Sequence, residues 1–541
     1  MELRWRNAQP SKRATRNSTT PSSGPPLSFD VNRTPPAACY MMEMRIQPDL
    51  ERASGSTNGD RVDFDGPDDI YNPQNWSFAK KSLNTFLYGL TTLGSTWASA
   101  AYSPANEIVA HGFQVSNEVA VLGTSVLLLG FGFGPLVWAP LSEVYGRKWP
   151  TVAPCFISAL FSFATGASKD IQSIIITRFF CGFFGAAPIT CTGGVFADIW
   201  DSSQRGNAIV GYALAVAAGP VLAPIVGGAI VVCGVSWRWT EYVGVSVTED
   251  GIITNVPKIT CIIQLLTVVL DVAFVDESYA PRLLVSKARR LRFETGEWGL
   301  HAEYEELNIT FSGLLHKFGV RPWQMLFTPI CGLIALYASF IYGVFYASLA
   351  SFPIIFQQDR GWNPLVGSLP FLALLLGILF GSALNVLNQV VFYNRRLASQ
   401  GDHKAIPEAR LPPMMVGSFV FAGGLFLIGW TSHPHFHWII PCTGAFFVGF
   451  GYYTIFQSAL NYLVDTFQRS GASAIAANTF LRSILASCFP AVVIPLYGNL
   501  GTGPASSCFA GFAVLMIPIP FVFYQYGAWL RTRGRWSSNI G

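Results

Sequence analysis

Charge is what this chain has least of. Only 12% of its 541 residues are Asp, Glu, Lys or Arg, about half the share that a soluble globular protein carries. That is too little to cover a water-facing surface, so a soluble fold of this length is excluded. Cysteine lacks organisation. The ten cysteines are scattered, with no CxxC pair and no His/Cys cluster at zinc spacing, so neither a disulfide framework nor a metal site is expected. Most lie in apolar runs, where a free thiol packs as a small hydrophobe. The start, MELRWRNAQPSKRATRNSTTPSSGPP, lacks the apolar centre of a signal peptide. P-loop, GxSxG and HExxH patterns are missing too, so neither ATP-driven work nor an enzyme is expected. The net charge of +4 is small and makes no case for a nucleic-acid partner.

What is abundant is apolar. The hydrophobic share is 51%, with 42 Phe and 15 Trp, and the mean hydropathy is +0.38. Runs long enough to cross a bilayer, about 20 residues each, fall near 83–103, 118–140, 150–167, 172–197, 207–232 and 258–275. Six more follow a polar gap, near 326–351, 366–389, 413–431, 437–460, 473–497 and 507–529. Twelve spans with both termini inside would place 29 of the 35 Lys and Arg residues on the inner side, as the positive-inside rule asks. The expected organisation is a disordered cytoplasmic tail over 1–75 and a six-helix bundle over 76–276. A cytoplasmic loop over 277–325, a second bundle over 326–530 and a short cytoplasmic tail over 531–541 complete it. The KARRLR run at 287–292 reads either as a short helix on the anionic inner leaflet or as a solvated loop. Sequons at Asn17, Asn32, Asn75 and Asn308 fall on the inner side, so no glycosylation is expected.

Several polar residues sit where they are costly. Arg178 lies in the fourth run, about two turns from its outer end, where a charge costs roughly 2.5–3.5 kcal/mol unless it snorkels to the interface. Asp271, in the sixth run, is a candidate proton carrier, since burial favours the neutral carboxyl; a solvated helix-end role fits equally. Asn84, Gln264, Gln457, Asn461 and Arg482, with Tyr342 and Tyr346, are candidates to line a substrate cavity. Their aromatic members could also stack on cations, or simply pack.

Three stretches carry a resemblance. The turn after the second run, PLSEVYGRK at 140–148, resembles the major facilitator loop signature. Gly146, Arg147 and Lys148 match it, while Glu143 replaces its Asp, Ala139 its Gly and Val144 its basic residue. Glycine permits the tight turn, and a carboxylate can cap a facing helix or pair with arginine. Glu143 with Arg147 would latch one access state; a plain topology anchor is the alternative. Arg178 and Gly182 resemble the family's fourth-span pattern, in which arginine is associated with proton coupling. The fifth run, GYALAVAAGPVLAPIVGGAI, resembles the motif of proton-coupled antiporters through Gly211, Gly219, Pro220, Gly227 and Gly228. Pro220 is expected to break the helix ladder there. NPQNWS, WRWTEY, DESYAPRLLVSKARRLR, EARLPPMM and AANTFLRS are similar to fungal twelve-span drug:proton antiporters over about residues 70–538.

That resemblance implies an all-α integral membrane fold of twelve transmembrane helices in two six-helix halves. It implies proton-coupled efflux of small hydrophobic or cationic compounds, a fungal toxin or secondary metabolite first and drugs second. The partners implied are the small-molecule substrate, protons and the lipid bilayer. A monomer in the plasma membrane is expected, with the proton gradient as energy source and no cofactor. A polyamine or nutrient importer on the same fold would not need the fifth-span motif, and a membrane sensor would need a signalling tail. Between WRWTEY and CIIQLL the chain carries VGVSVTEDGIITNVPKIT, where the family's sixth span begins almost at once. Residues 243–260 are either a real outer loop or a retained intron.

Overall fold

A computed structural model describes residues 61–66, 68–69, 71–232, 259–306, 320–396, 406–467 and 471–533. Residues 243–258 of the inserted stretch, the WRWTEY segment, most of the N-terminal tail and Asn17, Asn32 and Asn308 lie outside the described residues.

Helices dominate, because backbone polar groups in a membrane must be satisfied within each segment. Among the described residues ten helices are long and apolar enough to cross a membrane. The helices used below are α1 (Phe78–Ala101), α2 (Asn117–Tyr145), α3 (Trp149–Ala167), α4 (Ile171–Ile199), α5 (Ser202–Val232) and α6 (Ile259–Phe274). After the amphipathic α7 (Ala280–Thr295) come α8 (Pro329–Phe352), α9 (Pro370–Leu387), α10 (Pro412–Thr431), α11 (Ile439–Thr466) and α12 (Gly471–Leu500). α13 (Thr502–Met516) and α14 (Pro518–Arg533) close the described chain; the last apolar run is thus split before Pro518, which cannot donate to the preceding turn. Local signals set several ends. The Ser77 hydroxyl caps α1 by accepting from Lys80 N, the Asp170 carboxylate caps α4 through Ser173 N, and left-handed Gly296 ends α7.

α1 packs along α5 and α6, α2 along α4, and α3 along α4 and α6. In the same way α8 packs on α12 and α11, α9 on α11, and α10 on α11 and α13. The two sets meet where α2 lies on α12 and where α5 lies on α9 and the short helix Pro364–Ser368. Small residues permit these approaches. A Cβ at Gly219 would strike Thr96 and the Trp97 backbone nitrogen on α1, one at Gly227 would meet Pro104, and one at Gly228 would lie 2.7 Å from the Pro364 carbonyl oxygen. Gly211 has open space instead.

α5 continues as one helix across Pro220 and Pro224, each of which lacks the N–H that would donate to the preceding turn. One expectation needs correction here. The segment from residue 61 to 75, assigned by composition to the disordered tail, is built in. A two-residue strand, β1 (Arg61–Val62), pairs in parallel with β2 (His301–Ala302). Val62 packs with Ala288, Leu291, Leu300 and Ala302 in a small apolar cluster under α7.

Candidate functional site

The turn between α2 and α3 is held from three sides. Gly146 takes φ +90°, and the Glu277 carboxylate lies so close that a Cβ would collide with it. Only glycine meets both demands without strain. The backbone N–H groups of Arg147 and Lys148 donate to Glu277, at 2.7 and 3.1 Å. The Arg147 guanidinium donates to Asp198 at the end of α4 (3.0 Å) and to Ser142 (3.0 Å), and lies over the Tyr279 ring at 4.9 Å. Burial alone would lower the Arg147 pKa, but the Asp198 charge outweighs it and raises the value. The sequence suggests a latch of Glu143 with Arg147. In the structure the Arg147 guanidinium hydrogen-bonds Asp198 and Ser142 and its backbone meets Glu277, because α4 and the chain after α6 reach the turn, while the Glu143 charge adds to the upward shift of Arg147 and its backbone carbonyl accepts from the Tyr304 hydroxyl at 3.0 Å.

The same arrangement recurs in the second set of helices. Arg410, in the connection before α10, donates to Asp465 near the end of α11 at 2.8 Å, lies 3.5 Å over the Tyr393 ring and donates to Gln389. Glu408 beside it pairs with Arg531. Sequence reasoning missed this second latch; the signal was Arg and Asp at matching places of the two helix sets.

Tyr304 links the first latch to a clasp around α7. Lys287 is buried there and donates to Asp65 at 2.7 Å and to Asp69 at 2.9 Å, while Arg290 donates to the Tyr71 hydroxyl. KARRLR is therefore helical, and its first lysine points into protein. Burial opposes both charges, yet hydrogen bonds from Tyr71 N, Asp65 N and Lys287 lower the Asp69 pKa, and the two aspartates raise that of Lys287.

Within the bundle, Arg178 is fully buried; its guanidinium donates to the Ala98 carbonyl on α1 at 2.8 Å and covers the Tyr102 ring at 4.4 Å. It does not snorkel, because α1 supplies both an acceptor and a ring face. Asp271 is buried as well and accepts from Thr91 of α1 at 2.6 Å. Its other oxygen has no hydrogen-bond partner among the described residues, so a solvated helix-end role does not describe it.

The cavity candidates separate. Asn84 donates to the Lys80 carbonyl one turn back, near the start of α1. Gln264 accepts from Ser162 at 3.2 Å and donates to Ser158 at 3.4 Å, tying α6 to α3. Neither joins the group that the structure does assemble. Arg482 of α12 lies over the rings of Tyr342 (4.3 Å) and Phe456 (4.9 Å). Tyr346 shares a 2.8 Å hydrogen bond with Ser99 of α1, across the two sets. Gln457 follows Phe456 on α11, and half-buried Asn461 stands one turn further on. Asn478, fully buried one turn before Arg482, was missed. Elsewhere a pocket of about 780 Å³ lies between α1 and α5, lined by Gly211, Tyr212, Gly89, Leu93 and the exposed Phe78 and Phe86.

A bundle of apolar helices with a polar cluster buried at the seam of two helix sets, and with ion-paired latches at one face, has the build of a membrane transporter. The chain belongs to the Major Facilitator Superfamily, whose sequence model matches residues 88–490. It is 50% identical over 481 residues to "Efflux pump bik6" of Gibberella fujikuroi, covering 89% of this chain and 96% of that protein. It is 38% identical to "Major facilitator superfamily multidrug transporter FLU1" of Candida albicans, covering 89% and 77%. It is 37% identical to "Citrinin biosynthesis cluster MFS transporter mrr1" of Monascus ruber, covering 90% and 96%. The fungal drug:proton antiporter assignment read from the motifs agrees with these relatives. The fold is also that of a crystallised D-xylose-proton symporter, with TM-score 0.57 at 17% identity over 83% of this chain and 98% of that one.

Proposed function

We propose that the chain is a proton-driven exporter of small, ring-bearing hydrophobic compounds, secondary metabolites first and drugs second. Twelve spans would form two six-helix halves, α1–α6 and α8 onward. The halves rock about the buried cluster to open it to one side at a time. Both termini and α7 then face the cytoplasm, in the plasma membrane, and the protein works as a monomer. No cofactor is invoked; the proton gradient supplies the energy.

The observation that carries proton coupling is the buried Asp271–Thr91 pair. A carboxylate deep in a bundle is costly, and taking up a proton removes that cost. Asp271 on α6 hydrogen-bonds to α1, a helix that also touches the central cluster through Ser99, so protonation there can bear on the seam between the halves. Arg178, anchored on the same helix, would tune that site. Outward direction rests on the named activities of the relatives, efflux pumps and multidrug transporters. The closed latches at Arg147 and Arg410 fit a state shut towards the basic face.

The test is efflux of fluorescent aromatic compounds from cells expressing the chain, with and without a protonophore, beside Asp271→Asn. Extrusion that stops in both cases supports the reading. Extrusion by Asp271→Asn that matches the parent and still collapses with the protonophore moves the proton site elsewhere. Accumulation in place of extrusion ends the export reading.

A further inference from the structure

The central cluster leaves its polar groups unspent. Gln457 and Asn478 are fully buried, and neither the carbonyl oxygen nor the amide nitrogen of either finds a hydrogen-bond partner among the described residues. Arg482, also buried, has an unpartnered Nε and no ion pair among the described residues. Leaving such a group unpaired in the interior is costly, and buried polar atoms in native proteins nearly always have partners. Asn478 and Arg482 stand four residues apart on one face of α12. The ring that Arg482 covers at 4.9 Å belongs to Phe456, the neighbour of Gln457 on α11. The place beside the Phe456 ring thus holds Arg482, with Asn478 on the same face of α12 and Gln457 next in α11.

The walls of that place are flat rings. Tyr342 lies 25° from the plane of Phe456 at 6.2 Å, Phe345 lies 13° from Tyr452 at 4.3 Å, and Tyr452 lies 7° from Phe456 at 5.9 Å. These rings stack on one another, and such a set extends by stacking a further planar aromatic group on its outer side. Its charge follows from the local inventory. α8, α9 and α12 contain no Asp or Glu, and α11 contains only Asp465, which Arg410 engages at the far end of the helix. Asp271 is held by Thr91 on the side of α6 and α1. A guanidinium with no carboxylate beside it repels a cation and offers a charge-assisted hydrogen bond to an anion.

We propose that the central site takes a planar aromatic acid, with an ionised carboxyl or phenol on Arg482, ring carbonyls or hydroxyls on Gln457 and Asn478, and its rings stacked on the outer side of the Tyr342, Tyr452 and Phe456 set. This rests on the export reading for its physiological meaning and narrows it, setting aside the cationic cargo that the sequence allowed.

The test is equilibrium binding to the purified full chain of three probes sharing one ring system. They are anthraquinone-2-carboxylate, 2-(hydroxymethyl)anthraquinone and an anthraquinone bearing a quaternary ammonium group. The wild type should bind the acid at least about tenfold tighter than the cation. Arg482→Gln should weaken the acid about thirtyfold, the lower end of what removing one member of a buried charge pair costs, while the neutral probe moves less than twofold. Arg482→Lys should keep part of the preference. Gln457→Ala, whose charge is unaltered, should weaken acid and neutral probe alike, and it stands in should Arg482→Gln fail to fold. Equal or tighter binding of the cation overturns the proposal, as does no binding of any probe or an equal loss of all three probes in Arg482→Gln. If the acid is bound preferentially but is not moved in proteoliposomes under a pH gradient, the export reading fails while the charge assignment stands.

Discussion

The basic face and the centre of the bundle treat polar groups in opposite ways. At the face, the buried charges come in closed sets: Arg147 with Asp198, Lys287 with Asp65 and Asp69, Arg410 with Asp465. At the centre, two amides and the Nε of Arg482 are buried with no hydrogen-bond partner among the described residues. Satisfied networks hold one arrangement in place, because removing a member strands the others. Unsatisfied groups hold nothing and gain most from a guest. The face thus looks built to fix a state, and the centre to receive a ligand.

Four experiments sharpen or break that contrast. The largest effect is expected from Arg147→Ala. Stranding a largely buried charge costs about 3–5 kcal/mol, enough to reverse a two-state balance of a few kcal/mol. Cysteine labelling from the basic side should rise sharply at a reporter in the seam, and restoring the closed state with Arg147→Lys should be incomplete, since lysine lacks the fork that reaches Asp198 and Ser142 together. Unchanged labelling would make the turn a mere anchor.

Asp271→Asn comes second. It keeps the shape and the Thr91 hydrogen bond but cannot cycle a proton. Proton-driven extrusion should fall at least about a hundredfold, in line with losses at positioned acid–base groups, while binding of the neutral anthraquinone probe changes little.

Gly219→Leu ranks third. Its side chain would run into Thr96 and Trp97 on α1, and overpacking typically costs about 1–3 kcal/mol. A lower melting temperature in detergent is the readout. Gly211→Ala, facing open space, should be nearly neutral, and a similar loss at both positions would show that the glycines act through flexibility and not through packing.

The smallest effect belongs to the α7 clasp. Asp69 has its pKa lowered from an ordinary 3.8, so its contribution is complete above that value and fades as pH falls through the lower folded value. Lys287 has its pKa raised from 10.5, so its contribution is complete below 10.5 and fades as pH rises past the folded value. Amide protection factors in 61–71 and 280–302, with the base-catalysed intrinsic rate divided out, should therefore be flat from about pH 5 to 9. Lys287→Ala should lower them by opening the clasp without abolishing extrusion. Loss of extrusion would instead place the clasp in the transport cycle, through Tyr304 and the α2–α3 turn.

Much of the frame was open to a reader of the residues. Apolar runs gave the helices. Gly146, Arg147 and Lys148 marked the turn between α2 and α3, because a tight turn and a charged anchor leave signs in neighbouring residues. Partners distant in the chain left no such sign. Glu277 lies 130 residues from Arg147, and Asp271 lies 180 from Thr91. Gln264 and Asn478 show the limit from both sides. Both are amides in apolar runs, yet one ties two helices together while the other, unremarked, lies one turn before Arg482 with its amide unpartnered among the described residues.

The sequence by itself determined that this chain lives in a bilayer, which family it belongs to, and which few polar residues are costly there. Composition and short-range spacing suffice for that, since the bilayer tests each segment separately. Only the tertiary structure decided which costs are met and which are left open. Whether a buried Arg, Asp, Asn or Gln is anchor, proton site or ligand contact depends on the helix that packs beside it, and hydrogen bonds across such seams join residues that no local pattern links.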